Sequence, residues 1–377
     1  MVKFSATDHA MMARALQIAE RGRGIASPNP HVGCVIVKGA RIIGEGFTRL
    51  GGRPHAEAEA LAACIESPEG STVYSTLEPC ALHPNARGPA CSDLLVAARV
   101  KRVVSALHDP FHGVNGAGHE RLRSAGIELD IGLMEVQARE QLKAFLHRVE
   151  RGRPWVTLKV AATLDGKTAL ANGESQWITG AEARRDVHRM RAMACAVLTG
   201  IGTALSDDPA LTVRDLPPGM TVERQPLRIL LDSRLEVRDG MKLLQGGNTL
   251  IVTSAADSER TQAVLKQGVA IMSVPTELAK DKVDLVAMMQ QLGRYQGRGM
   301  NHVLVEAGAR LNASLLQAGV VDEIVFYLAP SLFGDSARGL FALPELTRLQ
   351  DRIVLNIGDV RHVGKDLRIT AQLKNKT

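Results

Sequence analysis

"PHAEAEALAAC", residues 54–64, and "TLEPCALHPNARGPAC", residues 76–91, decide how the first part of the chain is interpreted. His55 and Glu57 stand two residues apart at the expected start of a helix, and ten residues separate Cys80 from Cys91. Zinc favours imidazole and thiolate ligands, and a catalytic zinc keeps three protein ligands plus one open position. We therefore predict that His55, Cys80 and Cys91 bind one zinc ion.

Glu57 is the predicted catalytic residue of this site. A carboxylate on the same helix start can reach a water at the metal without binding the metal, and can move a proton from it to a departing amine. An H-x-E element followed by a P-C element is typical of zinc nucleobase deaminases, although their two cysteines stand closer together in sequence. His31 and His83 are competing ligand candidates, and Cys34 and Cys64 are interpreted as core residues.

The composition is that of a globular protein that handles anionic ligands. The 377 residues suffice for two domains, and the net charge of +6 is spread along the chain, which suits phosphorylated small molecules. The odd count of five cysteines argues against a disulfide framework and favours the cytoplasm. No stretch approaches the roughly 18 apolar residues of a membrane span, so no membrane partner is expected.

Strand and helix signals alternate twice along the chain. The first series includes "VGCVIVKGARIIGEGF", residues 32–47, which is typical of a β-hairpin. "RGRPWVTLKVAATLDGKTA", residues 151–169, begins a new series after a charged stretch with glycine and proline. We predict two layered α/β domains with partly parallel sheets, residues 1–150 and 151–377.

The second domain lacks the G-x-G-x-x-G signature of dinucleotide-binding folds. It contains "HVLVEAGARLNASLL", residues 302–316, in which an apolar strand leads into Gly308 and a helix. Glycine lets a ligand approach the backbone, and free N–H groups at a helix start suit a diphosphate. Turns of this kind are common, so on its own the pattern is a weak indication of a nucleotide site.

Four segments together resemble the bifunctional riboflavin-biosynthesis deaminase/reductase family: "SPNPHVGCVIV", "GRPHAEAEAL", "STLEPC" and "GPACSDLLVAARVKRVV". The resemblance implies an N-terminal cytidine-deaminase-like α/β/α domain with His55, Cys80 and Cys91 on zinc and Glu57 as proton shuttle. It also implies that Asn29 touches the pyrimidine, where the residue-level alternative is a turn asparagine. The inter-cysteine loop is two residues longer than usual in the family, so His83, Asn85 and Arg87 receive no role.

The rest of the chain resembles the reductase half of the same family, through "KVAATLDGKTALANGESQWITG", "ARRDVHRMRA" and "GIGTALSDDPALTVR". The resemblance implies a dihydrofolate-reductase-like α/β domain that uses NADPH. The matching positions for the cofactor are Ala161, Trp177, Thr203, Asp207, Ser233, Gly308, Ala309, Arg310, Leu311, Asn312, Ala313 and Ser314. Those for the substrate are Ser175, Arg191, Leu211, Arg214 and Glu306.

The residue types fit those implied roles in part. Arg191 and Arg214 can fork onto a phosphate, although solvated cations are the ordinary alternative. Lys159 is a candidate to orient the sugar, and Asp165 is better explained as a turn former before Gly166. Hydride transfer depends mainly on positioning, and Glu306 is the best available candidate for a proton donor.

The sequence thus predicts a zinc deaminase and an NADPH reductase that act in succession on a phosphoribosylaminopyrimidine. The family also implies a homo-oligomer. The main alternative is a nucleic-acid base deaminase with an accessory domain. Only 3% of the residues are aromatic and no basic stretch is interleaved with them, so a nucleic-acid partner is not expected. A zinc-stabilised scaffold with inactive sites is the non-catalytic alternative.

Overall fold

The computed structural model describes residues 4–374 except 82–87, 217–218, 256–258, 266–267 and 277–280. Its contacts divide the chain into two compact units, Met1–Gly152 and Arg153–Thr377. Both units alternate strands with helices, so each is an α/β unit with its own sheet.

The first unit contains five strands and five α-helices among its described residues. They are α1 (Ala6–Ala19), β1 (Gly33–Lys38), β2 (Arg41–Phe47), α2 (Ala56–Ala62), β3 (Thr72–Ser75), α3 (Cys91–Ala97), β4 (Arg102–Ser105), α4 (Ala117–Ser124), β5 (Glu128–Ile131) and α5 (Glu135–Arg151).

Helix α1 begins where Ser5 caps it. The Ser5 Oγ accepts the N–H of Asp8 at 3.1 Å, and the Asp8 carboxylate accepts the N–H of Ser5 at 2.8 Å. Such reciprocal caps stabilise a helix by about 1 kcal/mol. Further along, α1 packs directly on Gly33 of β1, where a Cβ would lie 2.0 Å from the Ala15 carbonyl oxygen. Glycine is required there because no larger residue leaves room for the helix.

The first sheet has the order β2-β1-β3-β4-β5. Strand β1 is antiparallel to β2 and β3, which confirms the predicted hairpin, whereas β3, β4 and β5 run parallel. The segments that follow β3 and β4 therefore leave the sheet at the same edge. The edge after β3 carries the segment that leads to Cys80.

The second unit contains eleven strands and five α-helices among its described residues. They are β6 (Trp155–Thr163), β7 (Lys167–Ala169), α6 (Ala181–Met193), β8 (Ala196–Gly200), α7 (Ile201–Asp207), β9 (Leu227–Leu231), β10 (Thr249–Thr253), α8 (Glu259–Leu265), β11 (Ala270–Ser273), α9 (Leu285–Leu292), β12 (His302–Val305), α10 (Ala309–Gln317), β13 (Glu323–Ala329), β14 (Arg338–Gly339), β15 (Leu355–Val363) and β16 (Asp366–Leu373).

A nine-stranded sheet forms the second unit, in the order β11-β10-β9-β8-β12-β6-β13-β16-β15. The strands from β11 to β13 are parallel, and β16 and β15 close one side in antiparallel fashion. Parallel order places the carboxyl ends of β6, β8, β9 and β12 at one edge, which is where α/β sheets bind ligands.

The C-terminal strands β15 and β16 are nine and eight residues long. Helix α9 begins at Leu285, where the Asp284 carboxylate accepts the N–H groups of Val286 and Ala287 at 2.9 Å. Among the described residues, every helix is too short or too polar to cross a bilayer.

Candidate metal centre and nucleotide site

The three predicted zinc ligands lie on three separate elements of the first unit. His55 is the N-cap of α2, Cys80 follows β3, and Cys91 is the first residue of α3. The Nδ1 atom of His55 is 3.4 Å from the Sγ of Cys80 and 3.4 Å from the Sγ of Cys91. All three donor atoms lie within 4.8 Å of one another, so the fold brings the predicted set together.

The donor set fits a tetrahedral zinc ion. Ordinary Zn–N and Zn–S bonds place a nitrogen and a sulfur ligand about 3.6 Å apart, close to the observed 3.4 Å. Hydrogen bonding with Cys91 lowers the pKa of Cys80 to about 4, against the opposing effect of burial. The backbone N–H of Cys91 also donates to the Cys80 sulfur at 3.3 Å. Cys80 is thus held as the thiolate that binds metal ions.

Glu57 lies in the first turn of α2 and is only 3% exposed. The hydroxyl of Ser75, the last residue of β3, donates to its Oε1 at 3.0 Å. Burial raises the pKa of the Glu57 carboxyl, and the Cys80 thiolate beside it acts in the same direction. A carboxyl with a raised pKa accepts and returns a proton more readily near neutral pH.

Asn29 lies beside the metal ligands. Its Nδ2 atom is 3.4 Å from Nε2 of His55 and donates to the Gly52 carbonyl oxygen at 3.2 Å. Gly52 has a φ of +90°, and a Cβ there would lie 2.4 Å from the Asn29 side chain. The fold therefore holds the Asn29 amide at the candidate metal centre, a position from which it can also touch a ligand.

A cavity of about 340 Å³ opens beside the metal ligands. Apart from His55, Cys91 and one arginine, its lining is apolar. The lining residues are Arg53, Pro54, His55, Ala58, Pro89, Cys91 and Leu94. A flat, largely apolar ring fits such a cavity with its reacting carbon near the ligands.

Glu78 forms a second group of possible metal ligands with His108 and His119. The Glu78 carboxylate is fully buried and already accepts four backbone N–H bonds, which occupy its lone pairs. The donors are the N–H groups of Asp109, Gly116, Gly118 and His119, at 3.0–3.2 Å. Glu78 therefore anchors the segments after β4 and fixes the start of the Glu78–Cys80 segment.

The other candidates of the first unit stand apart from the metal centre or outside the described residues. Among the described residues, His31 belongs to neither group of close metal-ligating atoms. Cys34 is fully buried in β1, and the Cys64 thiol donates to the Ala60 carbonyl oxygen at 3.3 Å, so both are core or helix residues. His83, Asn85 and Arg87 lie outside the described residues.

Glu306, which follows β12, forms a cluster of charged side chains with two cations of the second unit. Its carboxylate pairs with Arg191 of α6 through two bonds, at 2.5 and 3.0 Å, and with Lys159 of β6 at 3.5 Å. Burial opposes ionisation, but the two cations prevail and lower the pKa of Glu306 to about 2. Glu306 is therefore a carboxylate at neutral pH, and its selection as proton donor from the sequence is wrong.

The segment from Leu211 to Arg214 is held by side chains instead of strand pairing. Arg191 Nη1 donates to the Thr212 carbonyl oxygen at 2.9 Å. Gln225 accepts the Val213 N–H at 2.8 Å and donates to the Val213 carbonyl oxygen at 3.0 Å. His188 Nδ1 accepts the Arg214 N–H at 3.3 Å. Two predicted substrate residues, Leu211 and Arg214, thus lie beside the pair of Arg191 and Glu306.

Three predicted cofactor residues follow strands at the carboxyl edge of the second sheet, and two of them lie close together. Thr203 lies in α7 after β8, Ser233 follows β9, and Gly308 is the N-cap of α10 after β12. A Cβ at Gly308 would lie 3.4 Å from the Thr203 hydroxyl oxygen. The two turns therefore touch, as expected where a sheet binds an extended nucleotide.

The remaining cofactor and substrate candidates are spread more widely. Asp207 ends α7, at the far end from Thr203, and Asn312 is 2% exposed inside α10. Ala313 is also buried, whereas Arg310 and Ser314 are exposed and Ala309 and Leu311 are half-buried. Ala161 is half-buried in β6, and Ser175 is half-buried between β7 and α6. Trp177 is 71% exposed, with the Arg184 guanidinium 4.7 Å above its ring.

The sequence does not indicate a role for Gln225, His188 or Arg53. Gln225 and His188 bind backbone atoms of a non-regular segment far along the chain, and no local motif signals such contacts. Arg53 stands two residues before a predicted ligand, so the sequence indicates that it lies near the site. The sequence does not indicate that its side chain lines the cavity.

Comparison with family models gives two matches. Residues 5–107 match the cytidine and deoxycytidylate deaminase zinc-binding region. Residues 154–366 match the RibD C-terminal domain. The two matches fall in the two compact units, and the second covers more than half of the chain.

Full-length relatives carry both parts. The riboflavin biosynthesis protein RibD of Escherichia coli K12 is 45% identical over 96% of this chain and 98% of its own length. An Acinetobacter baumannii RibD structure is 38% identical with a TM-score of 0.89, covering 98% of this chain and 99% of that one. A Thermotoga maritima structure, described as a diaminohydroxyphosphoribosylaminopyrimidine deaminase/5-amino-6-(5-phosphoribosylamino)uracil reductase, is 31% identical with a TM-score of 0.84 at the same coverages.

Proposed function

The chain belongs to the RibD family, the bifunctional deaminase/reductases of riboflavin biosynthesis, and from that premise we propose the substrates and the residues that act on them. The first unit is a cytidine-deaminase-like zinc deaminase and the second a dihydrofolate-reductase-like reductase that uses NADPH. The proposed substrate is 2,5-diamino-6-(5-phosphoribosylamino)pyrimidin-4(3H)-one. Successive deamination and reduction give 5-amino-6-(5-phosphoribitylamino)uracil. Because the family match spans both units, a nucleic-acid base deaminase is not retained as an alternative.

The deaminase step is assigned to Glu57 and the set of His55, Cys80 and Cys91. When bound, zinc supplies a Lewis acid that makes water nucleophilic near neutral pH. Glu57 takes the proton from that water and delivers it to the departing amine. The Ser75 hydroxyl keeps the carboxylate oriented, and Asn29 contacts the pyrimidine. The observation that carries this assignment is the 3.4 Å approach of both sulfurs to His55 with Glu57 buried beside them.

The test replaces Glu57 with glutamine. Glu57→Gln is expected to retain zinc and folding, to lose deamination by about 10²- to 10⁴-fold, and to leave reduction of the deaminated substrate unchanged. Ammonia release and NADPH oxidation report the two steps separately. Glu59→Gln is the matched control, since Glu59 lies on the same helix and pairs with Arg49. Deaminase turnover retained in Glu57→Gln would contradict the assignment.

The reductase step is assigned to the carboxyl edge of the second sheet. When bound, NADPH supplies the hydride. The proposed cofactor residues are Ala161, Trp177, Thr203, Asp207, Ser233 and the segment from Gly308 to Ser314. Arg214 binds the substrate phosphate, whereas the Arg191 guanidinium is paired with Glu306 and holds that carboxylate in place. Ser175, Arg191 and Leu211 contact the substrate, and Glu306 binds the substrate as a carboxylate. The geometric support is the contact between the turns that carry Thr203 and Gly308.

The chain acts as a homo-oligomer in this proposal. Strand β15 is an edge strand with only β16 beside it, and it exposes Ile357 by 64% and Val360 by 53%. An exposed apolar edge strand favours pairing with a second chain. Light scattering checks this: wild-type protein is expected to be oligomeric, and Ile357→Lys with Val360→Lys to shift it towards monomer. A wild-type monomer would contradict it.

A cytoplasmic location also remains a prediction, in keeping with five free cysteines.

A further inference from the structure

Arg53 lines the same cavity as two of the candidate zinc ligands. It immediately precedes Pro54 and His55, and it contributes to the cavity wall together with His55 and Cys91. Its Nη1 atom would lie 3.4 Å from a Cβ built at Gly88, on the segment that leads into α3. The guanidinium therefore lies between the residues before α2 and those before α3, on the cavity that a pyrimidine has to enter.

Within the described part of the chain, the Arg53 guanidinium has no hydrogen bond or ion pair to a carboxylate. Other arginines of the first unit differ in this respect. Arg49 binds Glu59 and also lies 4.2 Å over the Phe47 ring, and Arg14 binds Glu45 with two nitrogens. A half-buried cation that is not matched by a nearby carboxylate favours an anionic ligand, because guanidinium is least costly to bury when it is paired.

Apart from His55 and Cys91, the other residues that line the cavity are apolar and do not bind an anion. Pro54, Ala58, Pro89 and Leu94 present apolar surface that suits a ring. The substrate carries a phosphoribosyl group at a distance from the amine that is removed. If the amine lies at the metal ligands, the charged end of the substrate extends towards the rest of the wall, where Arg53 is placed.

We propose that Arg53 binds the phosphate of the deaminase substrate and thereby makes the first unit select phosphorylated over unphosphorylated pyrimidines. The inference rests on the proposed function, since it assigns a specificity role within that site. A planar guanidinium donates two parallel hydrogen bonds to phosphate oxygens, which a single ammonium group or an amide does not reproduce. Arg53 acts here in binding and not in proton transfer.

The test compares two substrates in two variants. The probes are the phosphoribosylaminopyrimidine and the same compound after its phosphate has been removed with a phosphatase. Arg53→Gln is expected to lower kcat/KM for the phosphorylated compound about 10- to 100-fold, mainly through KM, and to lower kcat/KM for the dephosphorylated compound far less. Arg53→Lys is expected to recover part of the loss because it restores the charge without the fork.

The controls separate this inference from the proposed function. Arg49→Gln removes a nearby arginine that already has a partner, and it is expected to leave the preference for phosphate intact. Zinc content and the reductase turnover of the same chain report folding. Equal loss on both compounds, or no loss on either, in Arg53→Gln would overturn the phosphate role. A wild-type chain that deaminates neither compound would overturn the proposed substrate itself.

Discussion

The two candidate sites of this chain are built in opposite ways. In the first unit, three side chains from α2, α3 and the segment after β3 place their donor atoms within 4.8 Å of one another. In the second unit, the candidate ligand-binding residues are spread over the ends of several parallel strands and held by backbone turns and one buried charge cluster. A metal centre concentrates its requirements in a few residue types, whereas a nucleotide site distributes them along the backbone.

The largest expected effect comes from the concentrated site. Cys91→Ser removes a ligand that packs 3.4 Å from His55, so deamination should fall by about 10⁴-fold or more while NADPH-dependent reduction continues. Ammonia release and NADPH oxidation are measured on the same preparation. Cys64→Ser is the matched control, since the Cys64 thiol donates to the Ala60 carbonyl oxygen and is not one of the three candidate ligands. Loss of reduction in Cys91→Ser would show that the two sites are not independent.

The second-largest effect is expected from a substitution that breaks the charge cluster of the second unit. Arg191→Met leaves the buried Glu306 carboxylate with only Lys159 at 3.5 Å, so reduction should fall by about 10²- to 10³-fold. The free energy of unfolding of this unit should fall by about 3–5 kcal/mol. Arg189→Met, which removes a half-exposed i,i+3 pair with Asp186, is expected to change both quantities far less. Similar losses in the two variants would mean that the ion pair of Arg191 with Glu306 matters no more than an ordinary ion pair.

The Glu306 carboxylate is also expected to make the stability of the second unit depend on pH. Its pKa is lowered from an ordinary value near 4.5 to about 2, chiefly by Arg191 and Lys159, which prevail over burial. Its contribution to stability is therefore present above about pH 4.5 and is lost as the pH falls towards 2, with a magnitude of roughly 3 kcal/mol. Urea unfolding at pH 6 and pH 3 measures it. Glu306→Gln should lack this part of the acid destabilisation, and an unchanged profile would contradict the charge assignment.

The smallest effect concerns the segment from Leu211 to Arg214. Gln225→Ala removes two hydrogen bonds to Val213 and is expected to raise the reductase KM for substrate about 5- to 10-fold with little change in kcat. Gln245→Ala, at a glutamine whose amide binds Gly240 instead, serves as control. A fall in kcat with unchanged KM would mean that Gln225 acts on stability or chemistry and not on substrate positioning.

The sequence was informative where a motif is compact. The H-x-E and P-C elements by themselves indicated a zinc deaminase, and alternating apolar runs located the hairpin of β1 and β2. The sequence was less informative about features that depend on contacts between distant parts of the chain. Gln225 and Val213 form a hydrogen bond from positions 12 residues apart in the sequence, and β15 and β16 pair with each other in antiparallel fashion. The charge state of Glu306 depends on two cations from other elements, so residue type alone suggested a proton donor.

Metal analysis of purified protein, beside deaminase assays, tests the account most directly. The wild-type chain and Glu57→Gln should each contain about one zinc per chain, only the wild type should release ammonia, and Cys91→Ser should contain almost none. A wild-type preparation that deaminates its substrate without a stoichiometric transition metal would contradict the convergence of His55, Cys80 and Cys91 on one ion.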